Sequence, residues 1–165
     1  MNRRLAIKQV LILAGGVVLL PSCLRNEGKS TLSLSNLDIS LSQEQLLADI
    51  AEIMIPKTDT PGAKDLKLHL FVLKMVDDCS APEDQLKFTK GLAYFEGLNA
   101  DELKNRIAEV NSGKPGIPEA SVDFYRIMKG RVIGGYLNSK YVMSNLVIWE
   151  LVPGRYNGYF PVKTA

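Results

Sequence analysis

Few side chains in this sequence are equipped for chemistry: two cysteines, one histidine and a scatter of carboxylates. Cys23 ends the run Leu20-Pro21-Ser22-Cys23, a Leu-x-x-Cys pattern, and its thiol is the first candidate for covalent modification. Cys79 follows Asp77-Asp78 at the end of an apolar stretch. His69 stands alone among leucines, where a packing or surface histidine is the ordinary reading. Asp59 lies in a turn, positioned to orient a ligand or, more ordinarily, to close an Asx-turn. Asp77 and Asp78 could be paired acids, but neighbours on a helix point apart, and an acidic helix end is the usual reading. Metal-ligand spacings, a Cys-x-x-Cys-His haem site, glycine-rich nucleotide fingerprints and a Gly-x-Ser-x-Gly elbow are all missing from the sequence. An enzyme built on Asp59 and His69 would lack both a nucleophile and a metal set.

The segment before Cys23 says where that thiol goes. A basic head with Arg3, Arg4 and Lys8 precedes an apolar run from Val10 to Leu20. A positive head, roughly eleven apolar residues and a small residue before the cut form an export signal. The run is shorter than the about 20 residues needed to span a bilayer. Leu20-Pro21-Ser22-Cys23 resembles the lipobox of bacterial lipoproteins, which implies cleavage of residues 1–22 and acylation of Cys23. A plain signal peptide or an uncleaved short anchor are the alternatives. The expectation is an exported protein, lipid-anchored to a bacterial membrane and facing the periplasm; two or more acyl chains hold stably. Arg3-Arg4-x-x-Ile7-Lys8 resembles the twin-arginine signal in Lys8 and Ile7 and departs from it at Asn2 and Ala6. General secretion also uses a basic head, so both routes stay open.

The chain has 165 residues and a formal charge of +2. Of its 20 basic side chains, Arg3, Arg4 and Lys8 belong to the leader, which holds no acid. The remainder sets 17 basic against 18 acidic groups, net −1. That balance gives no electrostatic case for nucleic acid. With Cys23 assigned to lipid, Cys79 is an odd cysteine, in a partner bond or buried; free cysteine is usually buried.

The elements that would position these groups are helices. Residues 23–41, rich in Ser and Asn, read as a flexible tether that buries too little to order itself, although Leu32, Leu34, Leu37 and Ile39 offer apolar contacts. Ser42 with Gln45 reads as a capping box opening a helix with its stripe at Leu46, Leu47, Ile50, Ala51, Ile53 and Met54, stopped by Pro56. After the turn formers of 57–62, a helix from about Asp65 to Asp78 is apolar nearly all round, hence central. Pro82 starts a third, reaching about Phe95, with Leu86, Phe88, Leu92 and Phe95 inward. Asn99 caps a fourth carrying Leu103, Ile107 and Val110. A fifth runs from about Pro118 to Tyr136, and Gly130, Gly134 and Gly135 predict an end or kink in its latter half. The apolar run 141–151 is short enough for helix or strand, with helix favoured, and the tail is irregular and aromatic. The fold class is all-α: one small domain of about five to six helices over residues 42–165, behind the leader and tether.

Three stretches together resemble the gluconate 2-dehydrogenase subunit 3 family, the small subunit of a membrane-bound dehydrogenase. They are Ile50 to Lys64, holding Ile55-Pro56 and Thr58-Asp59-Thr60-Pro61-Gly62-Ala63; Phe71 to Cys79; and Gly135-Tyr136-Leu137-Asn138-Ser139 with the tail Pro153-Gly154-Arg155-Tyr156-Asn157-Gly158. The resemblance covers most of residues 42–161. It implies a non-catalytic accessory subunit that escorts, anchors and stabilises a periplasmic flavoprotein dehydrogenase of the glucose–methanol–choline type, acting on a sugar or sugar acid. FAD would sit in that large subunit, with no cofactor in this chain. A cytochrome c subunit carrying haem c often accepts the electrons. In the twin-arginine version, the complex forms before export. Pro61, Gly62, Arg155, Tyr156, Tyr159 and Phe160 are the partner-binding candidates; the tail has the composition of an interface anchor, or packs on its own core. Relatives with this tail commonly carry a cysteine where Tyr159 stands. If it pairs with the one matching Cys79, that bridge is missing here, with its typical 2–4 kcal/mol. The reading from a different class is a stand-alone envelope lipoprotein that binds a ligand or another envelope protein.

Overall fold

The computed structural model describes residue 28, residues 30–147 and residues 158–159. The leader with Arg3, Arg4 and Lys8, the lipidation candidate Cys23, and the tail residues Arg155, Tyr156 and Phe160 lie outside the described residues. Among the described residues, six α-helices follow in order: α1 Leu41–Met54, α2 Leu68–Cys79, α3 Pro82–Leu92, α4 Ala100–Asn111, α5 Glu119–Leu137 and α6 Lys140–Asn145. A 3₁₀ turn, Ala93–Phe95, extends α3. The all-α expectation holds for the described residues. Among them, no helix is long and apolar enough to cross a membrane.

The helix that organises the packing is α5, which touches each of the other five α-helices. The second helix was expected at the centre, but α2 buries Leu68, Val72, Leu73 and Val76 and leaves Phe71 exposed. The deep aromatic core forms where α3 meets α5. The Phe124 ring lies 4.9 Å from Phe88 and 5.3 Å from Phe95, centroid to centroid. Such tilted pairs contribute about 0.5–1.5 kcal/mol beyond their buried area. Gly91 lets these helices approach so closely. A Cβ there would overlap the Ala120 carbonyl oxygen and the Phe124 Cβ.

Several boundaries differ from the sequence reading for physical reasons. The first capping box uses Ser40 and Gln43, two residues before Ser42 and Gln45. Ser-x-x-Gln occurs in both registers, and the earlier one turns Ile39 and Glu44 inward. Helix α2 begins three residues late because Lys67 adopts a left-handed conformation, φ 52°. Leu86 is exposed rather than part of the α3 stripe. Helix α5 runs unbroken through Gly130, Gly134 and Gly135 to Leu137. The helix-propensity cost of a glycine, about 0.5–1 kcal/mol, is offset at Gly135 by packing: a Cβ would stand 2.8 Å from Phe71 Cδ1. The fourth helix has the cap and the buried face expected of it. Cys79, expected to be buried, is an exposed free thiol at the end of α2.

The largest correction concerns the segment expected to be a tether. Over residues 30–40 it packs on the domain. Leu37 and Ile39 are buried, and Leu32 and Leu34 rest against the core. Two carboxylates hold its backbone. Asp77, 1% exposed, accepts the N–H groups of Ser35 (2.9 Å), Asn36 (2.7 Å) and Leu37 (3.0 Å). Asn36 Nδ2 donates back to the Asp77 carbonyl. Glu44 accepts from the Ser30 hydroxyl and from both the N–H and the hydroxyl of Thr31. The segment is thus ordered jointly, by burial of Leu37 and Ile39 in the core and by donation to two buried acids.

These contacts set a pH dependence. Burial pushes the Asp77 and Glu44 carboxyls up, but the donors around each outweigh it, and both titrate below their ordinary values. Burial lowers His69, against an opposing pull from Glu44. A depressed carboxylate stabilises the fold above its unfolded value and loses that contribution as pH falls. A depressed imidazole likewise loses stability as pH falls below its ordinary 6.5. The midpoint of urea unfolding should therefore fall in two stages on acidification, the upper beginning near pH 6.5 and the lower in the carboxylate range around 4. His69→Gln should remove only the upper stage. Asp77→Ala, which strands three N–H groups, should cost about 3 kcal/mol at neutral pH in the same measurement. Gly91→Ala should cost about as much, through overpacking against backbone.

Candidate functional site

The Ile55-to-Lys64 stretch forms a tight reversal between α1 and α2, closed by Ala63 N–H donating to the Ile55 carbonyl at 2.9 Å. Pro56 ends α1, and the chain must then turn back on itself. The last turn of α1 supplies the anchor. Glu52 accepts the Lys57 N–H on one oxygen (3.0 Å) and the Lys64 N–H on the other (2.9 Å). Gly62 is what this requires, since a Cβ would stand 2.6 Å from Glu52 Oε1 and 2.7 Å from the Lys57 nitrogen. Ala63 is fully buried beneath. Asp65 ties the far side, accepting Gly62 N–H and pairing with Lys57 Nζ at 3.2 Å. The Lys57 bond, then Gly62, holds its carboxyl below the ordinary range.

This loop meets the end of α5. Tyr136 donates its hydroxyl to Thr60 Oγ1 at 3.0 Å. Beside it, Gly135 accepts Phe71 and Leu68 of α2 at close range. The stretches 50–64, 71–79 and 135–139 thus converge on one corner. Of the partner-binding candidates, Gly62 is buried within this loop and Pro61 is half-buried. Tyr159 is 97% exposed in a turn, and the other three lie outside the described residues. Asp59 is exposed in the turn that Thr58 N–H closes onto the Thr60 carbonyl. His69 is half-buried with Nδ1 enclosed and without a hydrogen-bond partner. No group of three or more His, Cys, Asp or Glu able to hold a metal ion occurs among the described residues.

Two surface features accompany the corner. Exposed apolar side chains gather toward the C-terminal end: Ile133 and Leu137, one turn apart on α5, then Met143, Leu146 and Val147. Elsewhere, a groove of about 850 Å³ opens between α1 and the 96–104 segment. Sequence reasoning missed Glu52 and Asp77 as anchors. A carboxylate in a last helical turn ahead of Pro56 was the available signal for the first. For the second there was none, because its partners lie about forty residues away in sequence.

The site is a surface corner of a small helical domain, built from short motif blocks. A model of the family described as Gluconate 2-dehydrogenase subunit 3 matches residues 42–154, and the chain belongs to that family. No curated protein and no solved structure matches the chain. Membership makes it a dehydrogenase subunit, consistent with an accessory part in an oxidoreductase complex with the other subunits.

Gly62→Ala should displace Glu52 and cost about 1–3 kcal/mol, and Tyr136→Phe about 1 kcal/mol, in urea unfolding. Cys79→Ser should change stability by less than about 0.5 kcal/mol, as for an exposed side chain.

Proposed function

We propose that this chain is a non-catalytic accessory subunit that escorts, anchors and stabilises an FAD-dependent sugar or sugar-acid dehydrogenase of the periplasm. Membership of a dehydrogenase-subunit family carries the reading. The flavoprotein large subunit holds the FAD, and a cytochrome c subunit with haem c accepts its electrons. Residues 1–22 direct export, with Arg3, Arg4 and Lys8 as the basic head, and acylated Cys23 fixes the assembly to a membrane. The exposed apolar residues at the end of α5 and in α6 suit an oligomer interface, whose buried centre is more apolar than ordinary surface. The tail with Arg155, Tyr156, Tyr159 and Phe160 continues from the same end of the chain.

Capture of the tagged lipoprotein from detergent-solubilised membranes tests this. A near-stoichiometric flavoprotein with flavin absorbance is expected; a colourless chain recovered alone overturns the stable complex. Ile133→Glu with Leu137→Glu should reduce the captured flavoprotein at least tenfold while leaving the unfolding midpoint in place. Leu86→Glu, at an exposed position on α3, is the control and should capture as the natural chain does.

A further inference from the structure

The groove between α1 and the 96–104 segment is lined by both apolar and acidic side chains. Leu46, Ile53, Leu98 and Leu103 line it with apolar surface. Around them stand four carboxylates, Asp49, Glu52, Glu96 and Asp101, against two ammonium groups, Lys64 and Lys104. The lining is therefore net −2, with Asp49 paired to Lys64, Glu52 accepting the Lys57 and Lys64 N–H groups and Glu96 accepting from Gln43 Nε2 at 2.7 Å. At about 850 Å³ it has the volume of a ligand or peptide cleft. An occupant that fits combines apolar surface with positive charge.

Such a segment leaves the domain at the rim of the groove. Ser40 and Ser42 line the opening, and Leu41 between them donates its N–H to the Gly28 carbonyl at 3.0 Å. The 27 residues before Gly28 thus start beside the cleft. They contain an eleven-residue apolar run, Val10 to Leu20, behind Arg3, Arg4 and Lys8. Residue 22 is six residues from Gly28, at most about 20 Å along an extended chain. Apolar and basic character and the point of departure suit the groove.

We propose that in the uncleaved chain the leader 1–22 docks intramolecularly in this groove, its apolar run on Leu46, Ile53, Leu98 and Leu103 and its basic head against the carboxylates. This docking is a property of the chain by itself and stands or falls apart from any flavoprotein.

The test is hydrogen exchange of the full-length chain at low micromolar concentration. It is compared with a chain carrying Arg3→Glu, Arg4→Glu and Lys8→Glu, and with another in which Val10, Leu13, Val17 and Leu20 are replaced by Ser. All these substitutions fall outside the described domain. Zero-length amine-to-carboxylate cross-linking with peptide mapping locates Lys8. Exchange in segments 41–54 and 96–104 is expected to be at least fivefold slower in the natural chain than in either variant, with Lys8 joined to Asp49, Glu96 or Asp101. Equal exchange in all three chains would overturn the proposal. So would protection that disappears on dilution, which assigns the groove to a second copy's leader, or cross-links confined to another face.

Discussion

The carboxylate of Asp77 is the constraint on which the N-terminal part of the domain depends. It lies buried at the end of α2 and takes three N–H donors from residues 35–37. A buried carboxylate without such donors would be costly, and three stranded N–H groups would be costly too, so each side of the contact enforces the other. The consequences run outward. With 35–37 fixed, Leu37 and Ile39 enter the core and Ser40 stands where it can cap α1. Helix α1 then presents Glu44 to the same segment from the other side, through Ser30 and Thr31. Lys74 reaches toward the Asp77–Asp78 pair from one turn earlier, 3.7 Å from Asp77 and 2.9 Å from Asp78. This exposed partner contributes little beside the backbone donors.

Glu52 does in the α1–α2 loop what Asp77 does for the entry segment. In each case a helical carboxylate satisfies backbone donors that no helix or strand can pair, which lets an irregular segment lie on the domain. The domain thereby extends its order into stretches with few apolar residues. The Glu52 case also explains the glycine at 62, which is needed for space rather than for an unusual backbone angle.

Much of the helical framework was legible in the sequence because it rests on local signals. Asn99 with Glu102 and the spacing of Leu103, Ile107 and Val110 define α4 without help from elsewhere. Where the outcome depended on distant partners, the sequence was silent. Ser40 and Ser42 offer equal capping boxes, and tertiary burial of Ile39 and Glu44 decides between them. Gly135 looked like a break in α5 until Phe71 fills the space its missing Cβ leaves. Asp77 looked like a solvated helix end because its three donors lie some forty residues earlier. For the candidate site, the motif blocks were visible, but their convergence through Tyr136 and Thr60 spans 76 residues and could not be read locally.

That convergence changes how the motif residues are best understood. Gly62, Ala63, Thr60 and Tyr136 spend their contacts on each other and on Glu52, inside the corner. A residue occupied in this way gives the loop its shape. Other side chains remain in reach of solvent, and among the described residues the large apolar ones of that kind include Ile133 and Leu137. They lie on the opposite side of α5 from Gly135, because successive helical residues turn by about 100° and two steps nearly reverse the direction. The two sides of one helix therefore differ: its inner side fixes the corner to α2, and its outer side carries the exposed Ile133 and Leu137.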